Sequence, residues 1–190
     1  MFDFEGYHGT SLESAKNILI SEFELSFGDR EWLGNGVYFF IQGLSSKPEI
    51  QAEKWAISQA WNNVSKTYSY NNFCVLKSKI LVSENTFLDL TTEEGLEVFE
   101  YLSDKFENKI KELSKKLKYL DGLLINLARS EGILEINVVK ANFYIKFAKE
   151  RVKNINLRAN NCTICAVYNP IKTLSEISIT KIGTIENEII

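Results

Sequence analysis

The chain has 190 residues, 45% of them apolar and 25% charged, with a net charge of −3. This is the make-up of one ordinary globular domain, residues 1–190, with a core expected to bury roughly 70% of the unfolded surface. It excludes the broad cationic surface that grips nucleic acid non-specifically, though not a local basic groove. No run approaches the ~18 apolar residues of a membrane span.

The opening "MFDFEGYHG" is acidic and lacks the apolar run of a signal peptide, so a cytoplasmic protein is expected. "FEGYHGT" alternates and reads as a strand that runs into a helix. Thr10 with Glu13 fits a capping box, and Leu12, Ala15, Ile18 and Leu19 supply apolar residues at helical spacing. "FELS" reads as a short strand. "FGDREWLGNG" is a turn-rich loop that carries Gly28, Asp29, Gly34, Asn35 and Gly36, and "VYFFI" is the strand after it.

Ala52, Trp55, Ala56 and Ala60 mark an amphipathic helix over 49–62. "FCVLKSKILV" is a strong strand and "TFLDL" a shorter one. Thr91 with Glu94 predicts a second capped helix. Its stripe runs Leu96, Phe99, Leu102, Phe106, Ile110, Leu113, Leu117, Leu120, and its lysines, among them Lys105, Lys109, Lys115, Lys116 and Lys118, read as the wet face. Asp121-Gly122 reads as a turn before a short helix, "LLINLARS", and "ILEINVVK" as a strand. "NFYIKFAKERV" fits helix or strand. "CTICAVYNP" is a buried strand that Pro170 ends, and "EISITKI" is the last strand. Strands with inserted helices make the fold class α+β.

Cys74, Cys162 and Cys165 are too few and too uneven for a disulfide framework. The CxxC at 162–165 has no second pair and the single histidine is remote in sequence, so no metal is expected. That histidine, His8, stands at a strand end beside Gly9, which lets a ligand come close to the backbone. Tyr38 opens a strand after Gly34 and Gly36, a tight turn of the kind found beside a ligand.

Together these segments say more than either alone. "YHGT", a helix, and a glycine-rich turn into "GVYFF" resemble the ADP-ribosyltransferases of the diphtheria-toxin and poly(ADP-ribose)-polymerase type. Those enzymes carry a histidine followed by glycine, then a tyrosine in a "G-[IV]-Y-F" strand. "AEKWA" is similar to the helix that follows there. The resemblance spans residues 6–61 and returns in a terminal strand pair over 162–182. With "HGT" and "WLGNGVYFF" the chain looks closest to small bacterial members that act as toxins or phage-defence effectors.

The resemblance implies a split antiparallel β-sheet core with flanking helices, and NAD+ as co-substrate without a metal. His8 would bond the adenosine ribose, the Gly9 backbone would pair with the nicotinamide amide, and Tyr38 would stack on the nicotinamide ring. Thr10 and Trp32 would line the pocket. The family's third residue is a glutamate on a late strand, but "NNCTICAVYNP" holds no acid. Thr163 is the first choice for that position, with Ile164 close behind by alignment and Glu135 an acid on another strand. A missing glutamate implies transfer of a single ADP-ribose to a nucleic acid, RNA favoured, or to a protein.

Phe40, Trp61, Tyr68 and Tyr70 are candidate stacking aromatics for such an acceptor. A toxin implies a neutralising antitoxin. The other readings are an inactive module that binds ADP-ribose or a partner, and an NAD+-dependent RNA 2′-phosphotransferase. The phosphotransferase needs a cluster of arginines and histidines. This chain has one histidine, and Arg30, Arg129, Arg151 and Arg158 lie in other contexts. His8 and Tyr38 are both expected to be dispensable for folding.

Overall fold

The computed structural model describes residues 1–28, 31–113, 120–147 and 159–185. Asp29, Arg30, Lys115, Lys116, Leu117, Lys118, Arg151, Arg158 and the end of "NFYIKFAKERV" lie outside the described residues.

The fold is α+β. A seven-stranded sheet runs in the order β6-β7-β8-β2-β1-β5-β9. Its strands are β1 (Phe2–Ser11), β2 (Val37–Ile41), β5 (Asn72–Val82), β6 (Phe87–Asp89), β7 (Val138–Phe143), β8 (Cys162–Val167) and β9 (Leu174–Thr184). All neighbours are antiparallel except β6 and β7. A small hairpin, β3 (Trp61–Asn62) with β4 (Thr67–Tyr68), stands apart. The helices are α1 (Leu12–Ser21), α2 (Pro48–Ala60), α3 (Glu93–Lys105), α4 (Glu107–Leu113), α5 (Asp121–Ser130) and α6 (Pro170–Thr173). No described helix is long and apolar enough to cross a membrane.

Strand alternation divides the core. Val37, Phe39 and Ile41 of β2 join Leu76, Cys165 and Val167 on the face that α1 covers with Ala15. Phe40, Val75 and Ile164 point to the opposite face, under Ala52, Ala56 and Ala60 of α2. Farther along that second face, Val139 and Ala166 meet Ile125 of α5, and α3 packs behind through Leu102 and Phe106 against Leu124 and Ala128. Cys162 and Cys165 fall on opposite faces and both are buried. Their sulfurs therefore point apart, and burial pushes the Cys162 thiol up to about 12.

One irregularity of register positions everything that follows. β1 and β2 pair only at Gly6↔Ile41 and Tyr7↔Phe40. β1 nevertheless stays paired with β5 as far as Ser11↔Phe73, and β2 stays paired with β8 as far as Val37↔Val167. Beyond Tyr7 and Phe40 the two central strands part, and the sheet opens at its middle.

Several local expectations are corrected. The cap of α1 is Ser11, whose hydroxyl accepts from Ser14 N at 3.0 Å, while Thr10 remains in the strand opposite Cys74. The cap of α3 is likewise one residue late, at Thr92. Thr91 is already engaged, donating from both N and Oγ1 to Asp89 Oδ1 at 2.9 and 2.6 Å. The long apolar stripe does not make one helix: α3 ends at Phe106 and α4 starts after it, so that Phe106 turns inward. Leu19 and Leu96, counted in stripes, are 43% and 51% exposed. Asp121-Gly122 is the first turn of α5. "FELS" forms no strand, and the strand expected at 133–140 starts at Val138.

Candidate functional site

Where β1 and β2 part, the His8 side chain replaces the missing ladder. Its Nδ1 lies 2.8 Å from the Tyr38 carbonyl oxygen. A carbonyl only accepts, so Nδ1 carries the hydrogen. Burial pushes the His8 pKa below its usual 6.5, against the pull of the Tyr38 carbonyl, which favours the cation. The ring is therefore neutral at pH 7, and its other nitrogen, Nε2, is a hydrogen-bond acceptor. Phe23 packs against the ring edge-on at 5.3 Å and Phe39 at a tilt, 5.8 Å away.

Tyr38 leaves β2 on the opposite face. Its hydroxyl donates to Gly34 O at 2.7 Å and accepts from Leu33 N at 2.8 Å. Burial keeps the phenol protonated, with the Leu33 N–H opposing and the Glu31 charge reinforcing. Tyr38 thus fastens down the loop that precedes it. α5 and the end of β8 hold the same loop from behind: Asn126 Oδ1 of α5 accepts from Asn35 N at 2.9 Å, and the hydroxyl of Tyr168, just after β8, donates to Leu33 O. The Arg129 guanidinium lies 4.1 Å from the centre of the Tyr168 ring. Gly34 is required on two counts, a φ of +81° and a Cβ position only 2.5 Å from Asn126 Oδ1.

The parted strands open a cleft of ≈ 620 Å³, within the roughly 300–1,000 Å³ that holds a small organic ligand. Residues of both sheet faces line it. His8, Phe23 and Phe39 come from the α1 side, and Tyr38, Phe40, Trp55 and Ile164 from the α2 side. Trp32 adds an aromatic wall, braced by Phe143 stacked at 5.1 Å and by the edge of Trp55 at 5.9 Å.

The structure brings His8, Gly9, Trp32 and Tyr38 together in this cleft, with Ile164 beside them. Gly9 is glycine for a reason other than ligand approach. A Cβ there would sit 1.8 Å from Ala52 O, so α2 itself crosses against the strand. Thr10 does not line the cleft, and neither does Thr163. Thr163 is 1% exposed, and its Oγ1 donates to Asn142 Oδ1 at 2.7 Å and accepts from Leu44 N at 2.9 Å. Both of its hydrogen-bonding roles are spent, one on Asn142 of β7 and the other on the loop after β2. Glu135 is exposed, ahead of β7 and away from the cleft.

The expected stacking platform is also absorbed by packing. Phe40 is 5% exposed, Trp61 meets Tyr68 edge-on at 5.2 Å, and the Tyr70 hydroxyl donates to Ala56 O at 2.5 Å. Sequence reasoning missed the acids. Glu22, Glu24 and Glu31 line the cleft, and no described lysine or arginine does. Glu22 ends α1 with φ at 71°, a backbone region unusual for a side-chain-bearing residue. These glutamates lie in irregular or terminal backbone, where no periodicity marks which way a side chain points.

No known family profile matches this chain. It is 31% identical over 157 residues to an uncharacterized protein of Methanocaldococcus jannaschii, an alignment that covers 78% of this chain and 69% of that protein.

Proposed function

We propose that this chain, which belongs to the same family as the Methanocaldococcus jannaschii protein, is an NAD+-dependent mono-ADP-ribosyltransferase with an ADP-ribosyltransferase-like fold. The observation that carries the reading is the opening between β1 and β2, bridged by the His8 bond to the Tyr38 carbonyl, with both residues lining a ligand-sized cleft.

In this reading the roles are those that the resemblance to the ADP-ribosyltransferases implies. His8 Nε2, an acceptor, takes a hydrogen bond from a ribose hydroxyl of NAD+. The Gly9 backbone pairs with the nicotinamide amide. The Tyr38 ring, fixed by its two hydroxyl bonds, supplies a rigid face for the nicotinamide, a stacking contact worth roughly 1–3 kcal/mol. Trp32 closes the same side. Ile164 takes the third position in place of Thr163, so β8 contributes no acid there. This supports transfer of one ADP-ribose rather than growth of a chain.

The lining also bears on the acceptor. Three carboxylates without a described cation repel a phosphodiester backbone, a polyanion, more strongly than the single diphosphate of NAD+. They favour a protein side chain over the RNA that the resemblance favours. A role as a toxin or phage-defence effector held by an antitoxin belongs to the same reading.

The test is incubation of the full chain with labelled NAD+ and total lysate, with free nicotinamide measured and the label then challenged by protease and by nuclease. Release of nicotinamide with protease-sensitive label is expected, and His8→Gln should abolish both. Nuclease-sensitive label would move the acceptor to nucleic acid. A second reading, an inactive module that binds ADP-ribose, draws on the missing β8 acid. Binding of NAD+ or ADP-ribose without nicotinamide release would establish it and end the transferase reading.

A further inference from the structure

We infer that Glu31, in the loop ahead of β2, is the carboxylate that this site uses at the reacting ribose. The inference rests on the transferase reading above and goes beyond it by supplying from another element the acid that β8 lacks.

Three acids line the cleft, and Glu31 differs from the other two. Glu22 and Glu24 are exposed, whereas Glu31 is partly buried. It flanks Trp32, and its charge is felt at the Tyr38 hydroxyl. Its position is over-determined. Oε1 accepts from the Ser26 hydroxyl at 2.5 Å, and Ser26 N is in turn tied to Gly36 O at 3.1 Å. The Glu31 carbonyl accepts from Gly34 N at 3.3 Å. It also presses so closely on Gly122 of α5 that a Cβ there would lie 1.9 Å from it. A surface glutamate that merely solubilises a loop has no use for such fixing.

Among the described residues no lysine or arginine forms a salt bridge with Glu31, and its one side-chain partner is a neutral hydroxyl. A fixed carboxylate that no described cation neutralises, in a cleft walled by aromatic rings, is a preorganised stabiliser of positive charge.

Departure of nicotinamide creates that charge. The bond between ribosyl C1′ and the nicotinamide nitrogen breaks, and both its electrons leave with nicotinamide, which becomes neutral. The positive charge left on the ribosyl is shared between C1′ and the ring oxygen, facing Glu31. The acceptor heteroatom then bonds to C1′, and its proton passes to the Glu31 carboxylate and on to solvent. Ser26 is a positioning residue in this scheme.

The test compares Glu31→Gln, Ser26→Ala and Glu135→Gln with the wild-type full chain. NAD+ binding is read by quenching of tryptophan fluorescence, nicotinamide release by its rate, and folding by thermal unfolding. Gln keeps the shape of Glu31 and its acceptor for Ser26. Nicotinamide release should fall roughly 100-fold or more, while NAD+ affinity stays within about threefold and the melting temperature is unchanged. Ser26→Ala should give a smaller loss of rate that is not explained by stability, and Glu135→Gln should match wild type. If Glu31→Gln keeps the wild-type rate while His8→Gln is inactive, this inference fails and the transferase reading stands. If wild type itself releases no nicotinamide, the transferase reading fails and takes the inference with it.

Discussion

Replacing Tyr38 by phenylalanine separates the ring from the latch. The ring keeps its place in the cleft, but the hydroxyl that donates to Gly34 O and accepts from Leu33 N is lost. Leu33 is 1% exposed, so its N–H has no water to turn to. A buried donor left unpaired costs about 1–3 kcal/mol, and the lost bond to Gly34 O adds to it. A loss of about 2–3 kcal/mol is therefore expected. For a chain of this size that corresponds to a fall in melting temperature of roughly 5–10 °C. Thermal and urea unfolding measure it. NAD+ affinity should weaken alongside, because the loop that carries Trp32 and Glu31 loses its fastening. A Tyr38→Phe protein that melts within about 1 °C of wild type would refute the latch. The expectation that Tyr38 is dispensable for folding is thus reversed.

Three further outcomes are expected. Gly9→Ala forces a methyl group to within 1.8 Å of the Ala52 carbonyl; its destabilisation should reach or exceed the upper end of the roughly 1–3 kcal/mol of overpacking, and near-wild-type unfolding would show that α2 moves aside freely. Thr163→Val leaves Leu44 N and Asn142 Oδ1 without their partner; stability should fall by about 2 kcal/mol with nicotinamide release per folded molecule unchanged, and a selective loss of turnover would return Thr163 to the site. The third outcome concerns pH. Burial lowers the His8 pKa below the 6.5 of the free group, so the folded state resists a proton that the unfolded state takes up. The stability linked to His8 is complete above about pH 6.5 and is lost as pH falls from there toward the folded-state value. His8→Gln should flatten that part of the stability–pH curve; an unchanged curve would mean that the ring is not desolvated.

Periodicity made most elements legible in the sequence. β2, β5, β8 and α2 lie close to where alternation, apolar runs or helical spacing place them, because the helix buries one face and the central strands both faces against a core. Boundaries failed where two local solutions compete. Ser11 and Thr10 both carry a hydroxyl three residues from a free N–H, and the pairing of Thr10 with Cys74 in the β1–β5 ladder decides for Ser11. Thr91 and Thr92 differ in the same way, with Asp89 taking the first. The two faces of β8 were correctly divided by alternation, yet which face meets the cleft was not, and Thr163 was chosen over Ile164.

By itself the sequence determined the α+β class, the alternating faces of the strands and the two motifs, "YHGT" and "GVYFF", that stand side by side in the sheet. Those properties are local, since they follow from residue type and spacing along one strand or helix. The tertiary structure alone decided that β1 and β2 part after two paired residues and that His8 bridges the gap to the Tyr38 carbonyl. It also decided that Gly9 yields to α2 and that a loop glutamate, not a β8 residue, gives the cleft its fixed carboxylate. Each depends on contacts between segments 30 or more residues apart or on the direction of a side chain in irregular backbone, and neither leaves a period in the sequence.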